Sequence, residues 1–433
     1  MSDSQKQKLE EIEHTAFRKT LDALDAQAAA DPHYYNKIKH QHSDFLPKHA
    51  AKLVEDGLCS PLPRDKLHTV RGKNNAFTVL EEKPTEERLR FILWTKDANE
   101  VLNDYEAKVD LKHSSFYIDS VSEEAAVVGD MKISFFQYEI PEKYRCMFAF
   151  CDSDGDWYTL NRLPMGFRPS VEIIQLICET LSLQTTAVVP SVSIPATNNN
   201  NININNNNNN NNNETIQLTS NRTTHRTWVD GFQVTGKREE CEAVFHKIKK
   251  ISNYVGVTWK DDGVELLQEY DFIGIHFNHN LHQVTVADKT LSKLPQKVST
   301  TQLYFTTELE AMISRLYFCA GVLRLIPADY YFVIKQINRY VSRLNKPGAT
   351  DEQHKLPGSV VTSLNEWIKQ SRSRLTLPPD NQYTQSYNSK NKNKQKKKFD
   401  VLFIDASLWG WGAFFVGADG VIAIAGGAWS KKI

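Results

Sequence analysis

Asp130 and Asp230 are the residues of this sequence best suited to chemistry. Each is a carboxylate beside an apolar run, Asp130 after Ala126-Val127-Val128 and Asp230 after Trp228-Val229. Two carboxylates delivered from separate strands can hold divalent cations that activate an attacking hydroxyl and stabilise a leaving pyrophosphate, which is phosphoryl transfer to a nucleotide. Each aspartate alone has a plainer reading. A strand-ending Asp commonly caps the next element of the chain, and Asp230-Gly231 is simply a good hairpin turn. Between the two lies Leu-Pro-Met-Gly-Phe-Arg-Pro-Ser-Val-Glu-Ile-Ile-Gln, residues 163–175. There Gly166 makes a turn that lets a base pair approach the backbone before a buried helix begins.

The elements that must position these residues are legible from periodicity. Phe77 to Leu80 and Arg90 to Trp94 are short β-branched or aromatic runs flanked by charged turns, which predicts a hairpin. Asp152-Ser153-Asp154-Gly155-Asp156 predicts a turn joining the β-rich run Cys146 to Phe150 to the strand Trp157 to Leu160. Ile173, Ile174, Ile177 and Leu181 stand near helical spacing, with Ser170 as the expected N-cap. Thr227 to Val234 is expected to carry a tight turn centred on Asp230-Gly231. A charged helix is expected from Glu239 to Ile251, and Tyr270 to Ile275 reads as one strand. Thr306 to Leu344 is expected to be helical, broken at Pro327.

Composition bounds the classes. With 433 residues and 40% hydrophobic content the chain has room for more than one core. Lys+Arg and Asp+Glu are 52 each, so any nucleic-acid footprint must be regional. The six cysteines show no metal-ligand spacing and read as reduced thiols. No apolar stretch is long enough to span a bilayer, so the expectation is an intracellular protein with no membrane partner, cytoplasm or nucleus left open.

The motifs, taken in order, resemble those of reverse transcriptases. Leu163, Pro164, Gly166, Phe167, Ser170 and Gln175 match every fixed position of that family's Leu-Pro-x-Gly-Phe/Trp-x-x-Ser-x-x-x-x-Gln motif. Arg90 to Asn99 resembles its fingers motif, with Lys83 at the spacing of the second basic residue, and Asp130 to Gln137 is similar to its first palm motif. Trp228-Val229-Asp230-Gly231 falls where the family carries aromatic-x-Asp-Asp, and Phe272-Ile273-Gly274 resembles the primer-gripping strand. The resemblance implies an α+β right-hand polymerase of fingers, palm and thumb that copies RNA into DNA. Asp130 and Asp230 would be catalytic and hold Mg2+ or Mn2+. Lys83, Arg90, Phe135, Met165 and Gly166 would bind the nucleotide, with Arg88 near them and Phe135 excluding a 2′-hydroxyl. Phe272 and Gly274 would grip the primer. The implied partners are an RNA template, a DNA primer and deoxynucleoside triphosphates.

Phe399 to Ser407, Gly410-Trp411-Gly412-Ala413 and Gly427 to Ser430 resemble the opening strands of a ribonuclease H-like α/β domain, where Asp405 would be a metal ligand. This portion ends at Ile433 before the further acidic residues of such a site, so no ribonuclease H activity is expected. Met165 and the Asp-Ala-Ser-x-x-Gly-Trp-Gly form resemble retrotransposons, particularly those mobilised by a tyrosine recombinase or bearing long repeats. The expected organisation is a polar, solvated extension at 1–50 and fingers and palm at 51–290, interrupted by a disordered asparagine-rich insertion at 196–214. Beyond these are expected a helical thumb and connection at 291–375, a basic linker at 376–398 and the truncated ribonuclease H-like domain at 399–433. Gly231 stands where a second carboxylate belongs, so a catalyst and a relic that binds nucleic acid without chemistry both remain open.

Overall fold

The computed structural model describes residues 2–82, 87–183, 223–260, 263–344 and 348–377, with the backbone of three further strands. Lys83, the asparagine-rich insertion, the side chain of Arg88 and positions 378–398 of the basic linker lie outside the described residues. The chain divides into two compact units, Met1–Pro379 and Asp380–Ile433.

At the centre of the larger unit is a four-stranded antiparallel sheet in the spatial order Thr224–Trp228, Gly231–Gly236, Ala125–Asp130, Leu266–Leu267. Along the chain these strands alternate with the helices Ser170–Leu183 and Arg238–Tyr254, the split β-α-β pattern. The second helix buries Cys241, Phe245, Ile248 and Ser252 at three- and four-residue spacing, which aligns them on one face. Phe245 and Trp259 close over Gly129, where a side chain would strike the Phe245 ring. Ala125, Ala126 and Val127 are fully buried and Asp130 is exposed. The apolar start of the strand anchors it, and its carboxylate end emerges into solvent.

The first fifty residues are not the solvated extension expected. Helices Asp3–Ile12 and Lys19–Ala30, joined by a π-helical turn Glu13–Arg18, bury Ile12, Ala16, Phe17 and Leu24 in the main core. Phe17 meets Tyr144, Phe148 and Phe167 with ring centroids 5.1 to 6.4 Å apart. The π turn shifts the helical phase, so no single 3.6-residue period runs through the segment, and the apolar face is diluted by charged neighbours.

A second core lies across the expected boundary at residue 290. The antiparallel strands Glu269–Phe272, Ile275–Asn278, Gln283–Val286 and Arg374–Thr376 form one sheet. Tyr270 and Phe277 share a cluster with Leu309, Leu316 and Trp367 of helices Thr306–Leu323 and Gly358–Gln370. Packing is thus continuous through that position. Tyr270 to Ile275 is not one strand but the two arms of a hairpin, because Ile273 and Gly274 both take positive φ (47° and 81°) in its two-residue loop. In the smaller unit Val401–Ala406, Gly410–Val416 and Ile422–Ala428 form an antiparallel meander, with Asp405 opposite Gly412.

Candidate active site

Register brings the two aspartates together. Asp130 is the ladder partner of Gly231, and the Met131 amide donates to the Asp230 carbonyl at 3.1 Å. The hairpin turn is displaced by one residue from the expected position. Trp228 pairs with Gly231, so the loop is Val229-Asp230, and Gly231 is a buried strand residue without positive φ. Turn chemistry therefore does not explain Gly231. The positive φ falls on Val229 at 53°, where a β-branched residue costs on the order of 1–3 kcal/mol.

Gln175 holds that strained loop. It is 2% exposed; its Oε1 accepts from the Val229 amide at 2.6 Å, and its Nε2 donates to the Thr227 hydroxyl at 3.1 Å and the Glu179 carboxylate at 2.9 Å. From the other side the Tyr117 hydroxyl donates to the Thr227 carbonyl at 2.8 Å. The glutamine that ends the Leu163 to Gln175 motif is thus the anchor of Asp230. Gln175→Ala leaves the Val229 amide without this acceptor, and we expect a loss of about 2 kcal/mol in thermal unfolding. Hydrogen exchange in a 224–236 peptide should accelerate in step; an unchanged rate would remove Gln175 from this role.

Both carboxylates have partners that sequence reasoning missed. The Lys260 ammonium lies 2.6 Å from Asp130 Oδ2, each side chain being 48% exposed. Ser134 Oγ donates to Asp230 Oδ2 at 3.0 Å. Ser134 opens the short 3-10 helix Ser134–Gln137 that carries the half-buried Phe135. Gln137 ties this turn to the Lys260 segment, receiving the Thr258 amide at 2.8 Å and donating to the Thr258 carbonyl at 2.9 Å.

The donor set fits a hard cation that shares its coordination. Among the described residues no group of three or more His, Cys, Asp or Glu is arranged to hold a metal ion by itself, and the site offers two carboxylates. Mg2+ is commonly held by one or two carboxylates, with waters and substrate phosphates completing the octahedron. A Cβ at Gly231 would lie 3.2 Å from Asp130 Oδ1 and 3.0 Å from the Phe272 ring, so a side chain there would enter the same space. Beneath the site, burial pushes the Cys178 thiol well above its usual range, and the Asp230 carboxylate adds to the shift. Burial likewise pushes the Cys59 and Cys241 thiols up to about 12, which disfavours their thiolates.

The other expected site residues lie on several separate elements. Arg90 stands opposite Val79 on the hairpin of Asn75–Glu82 and Glu87–Trp94. That hairpin is joined to the Met165-Gly166 turn by Asn99, whose Nδ2 donates to the Gly166 carbonyl at 2.8 Å and whose Oδ1 accepts from the Arg168 amide at 3.0 Å. Gly166 itself presses on the Leu93 backbone, so its first need for glycine is intramolecular. Met165 is half-buried, and Ser170, expected as an N-cap, is the first helical residue with a buried hydroxyl that makes no hydrogen bond. Phe272 packs on Tyr117 at 5.8 Å beside Gly231. The Gly274 turn borders a groove of about 1000 Å3 lined by Trp228, Ile273, Tyr317, Phe318, Gly321 and Arg324. Nothing is described of the Asp405 side chain.

No family model matches the chain, and no curated protein does. Solved structures do. The foamy viral protease-reverse transcriptase dRH in complex with double-stranded DNA is 14% identical at a TM-score of 0.53, covering 100% of this chain and 66% of that one. The foamy viral protease-reverse transcriptase with double-stranded DNA gives 15% identity and 0.52 over 90% of this chain and 68% of that one. Its complex with an RNA/DNA hybrid gives 14% and 0.51, over 91% and 45%. This chain thus spans just under two thirds of the first of these proteins. The split β-α-β sheet that joins Asp130 to Asp230 belongs to a chain with a reverse transcriptase-like fold.

Proposed function

We propose that the chain is an RNA-directed DNA polymerase of a retrotransposon, adding deoxynucleotides to a primer 3′-hydroxyl on an RNA template. The observation that carries this reading is the pairing of Asp130 with Gly231, which sets the Asp230 loop beside the end of the Asp130 strand. Asp130 and Asp230 would hold Mg2+ or Mn2+, which when bound supplies charge neutralisation and a more acidic primer hydroxyl. Gln175 and Tyr117 keep the Asp230 loop in place, and Ser134 orients its carboxylate. Phe135, in the same turn as Ser134, would sit under the incoming sugar. Lys83 and Arg90 would neutralise phosphate charge, and Phe272 and Gly274 would hold the primer end. The fold of the protein bound to DNA and to an RNA/DNA hybrid in the similar structures supports nucleic-acid partners. In this reading Asn75–Trp94 belongs to the fingers, the Asp130 sheet to the palm and the helices after Thr306 to the thumb.

Gly231 favours a second reading, a protein that binds template-primer duplexes without chemistry. Primer extension on an RNA template with Mg2+ or Mn2+ separates the two. We expect extension by the wild type and a roughly tenfold faster rate for Gly231→Asp, the effect of about 1.4 kcal/mol at the transition state. Gly231→Ala controls for packing against Phe272. Duplex binding without extension in the wild type, with extension restored by Gly231→Asp, would establish the second reading.

A further inference from the structure

We propose that Lys260 is a built-in counter-cation that competes with the divalent metal for Asp130, so that loading the site requires its ammonium to leave. The proposal rests on the two-carboxylate reading above. Lys260 is delivered to Asp130 by backbone as well as by charge. Its amide donates to the Asp130 carbonyl at 2.9 Å, the Lys132 amide donates to the Thr258 carbonyl at 3.0 Å, and Met131 and Trp259 form an antiparallel bridge. Trp259, 6% exposed, is fixed between Phe232 and Phe245 with ring centroids at 5.0 and 5.4 Å. The backbone at Lys260 is therefore anchored while its side chain is half-exposed, with the ammonium 2.6 Å from Asp130 Oδ2.

That ammonium cancels one of two carboxylate charges at the site. A hard cation takes the same carboxylate at roughly 2.0–2.1 Å, and two cations on one carboxylate repel across a few ångströms. The lysine's flexible stem and partial exposure give its head a solvated alternative. Metal binding and the Lys260–Asp130 pair are thus mutually exclusive. Lys260 is a positioning residue here, holding Asp130 until metal arrives.

The test is Mn2+ binding to the full chain, without nucleic acid or nucleotide, read by the electron paramagnetic resonance of free Mn2+. Lys260→Met should tighten binding roughly twofold to fivefold, the range set by a solvent-exposed ion pair. Lys260→Arg should bind like wild type, and the advantage of Lys260→Met should shrink as salt rises from about 50 to about 500 mM. Asp130→Asn and Asp230→Asn should weaken binding at least tenfold. Thermal unfolding in chelator confirms that each variant folds. Equal or weaker binding by Lys260→Met, with Asp130→Asn still weakened, overturns the competition and leaves the two-carboxylate reading standing. Unchanged binding by Asp130→Asn overturns both.

Discussion

Asp130→Asn is expected to abolish primer extension, lowering the single-nucleotide rate by roughly a thousandfold or more while leaving the protein folded. A divalent cation held by Asp130 would supply several kcal/mol of charge stabilisation, and each 1.36 kcal/mol is about tenfold in rate. Asparagine keeps the size of the side chain and removes its charge. The backbone around position 130 is unaffected, because its carbonyl accepts from the Lys260 amide and its strand pairs with Gly231–Gly236 whatever the side chain. The side chain itself pairs with Lys260, 48% exposed on both sides, so loss of that pair costs about 1 kcal/mol or less. Rate and stability should therefore separate sharply. Asp230→Asn should give a similar loss of rate, its Ser134 contact surviving at the amide oxygen. Extension by Asp130→Asn within tenfold of wild type would show that the carboxylate has no part in the reaction.

How much of the site is legible in the sequence depends on how far each signal reaches along the chain. The two aspartates and the Leu163 to Gln175 run announce themselves through apolar neighbours within a few residues, and the Asn75–Trp94 hairpin through β-branched alternation. Lys260 does not, since it lies 130 residues from Asp130 and is followed by Asp261 and Asp262, so locally it reads as part of a solvated charge run. Gln175 is visible as a motif position, but its task is set by the Val229 amide 54 residues away. The turn at Val229-Asp230 escapes local reading because Asp-Gly is the stronger turn signal. Tertiary pairing of Gly231 with Asp130 overrides it. The burial of the N-terminal helices escapes for a related reason: charged residues dilute a buried stripe whose phase the π turn shifts.

Gly166→Ala should lower stability by about 3 kcal/mol, at the upper end of overpacking costs, and shift the unfolding midpoint by on the order of 5 °C. The backbone conformation is not the obstacle, because Gly166 does not take positive φ. Space is. A Cβ would fall inside van der Waals contact with the Leu93 carbonyl oxygen and at 3.5 Å from its carbon. Neither side can retreat cheaply. Leu93, 1% exposed, belongs to a strand paired through eight residues with Asn75–Glu82. The Gly166 carbonyl is fixed by Asn99 at 2.8 Å and by the Thr95 hydroxyl at 3.1 Å. Relief must therefore separate the Arg90 hairpin from the Leu163 to Gln175 segment, and those two elements carry most of the residues proposed to meet the nucleotide. Extension should fall along with stability, with the Michaelis constant for the nucleotide rising before duplex binding weakens. Gly358→Ala is the matched control, since nothing lies within 4 Å of its Cβ position at the start of helix Gly358–Gln370, and alanine is the better helix former. An unfolding midpoint for Gly166→Ala equal to that of this control would mean that the strand and the turn are not locked together as the hydrogen bonds of Asn99 require.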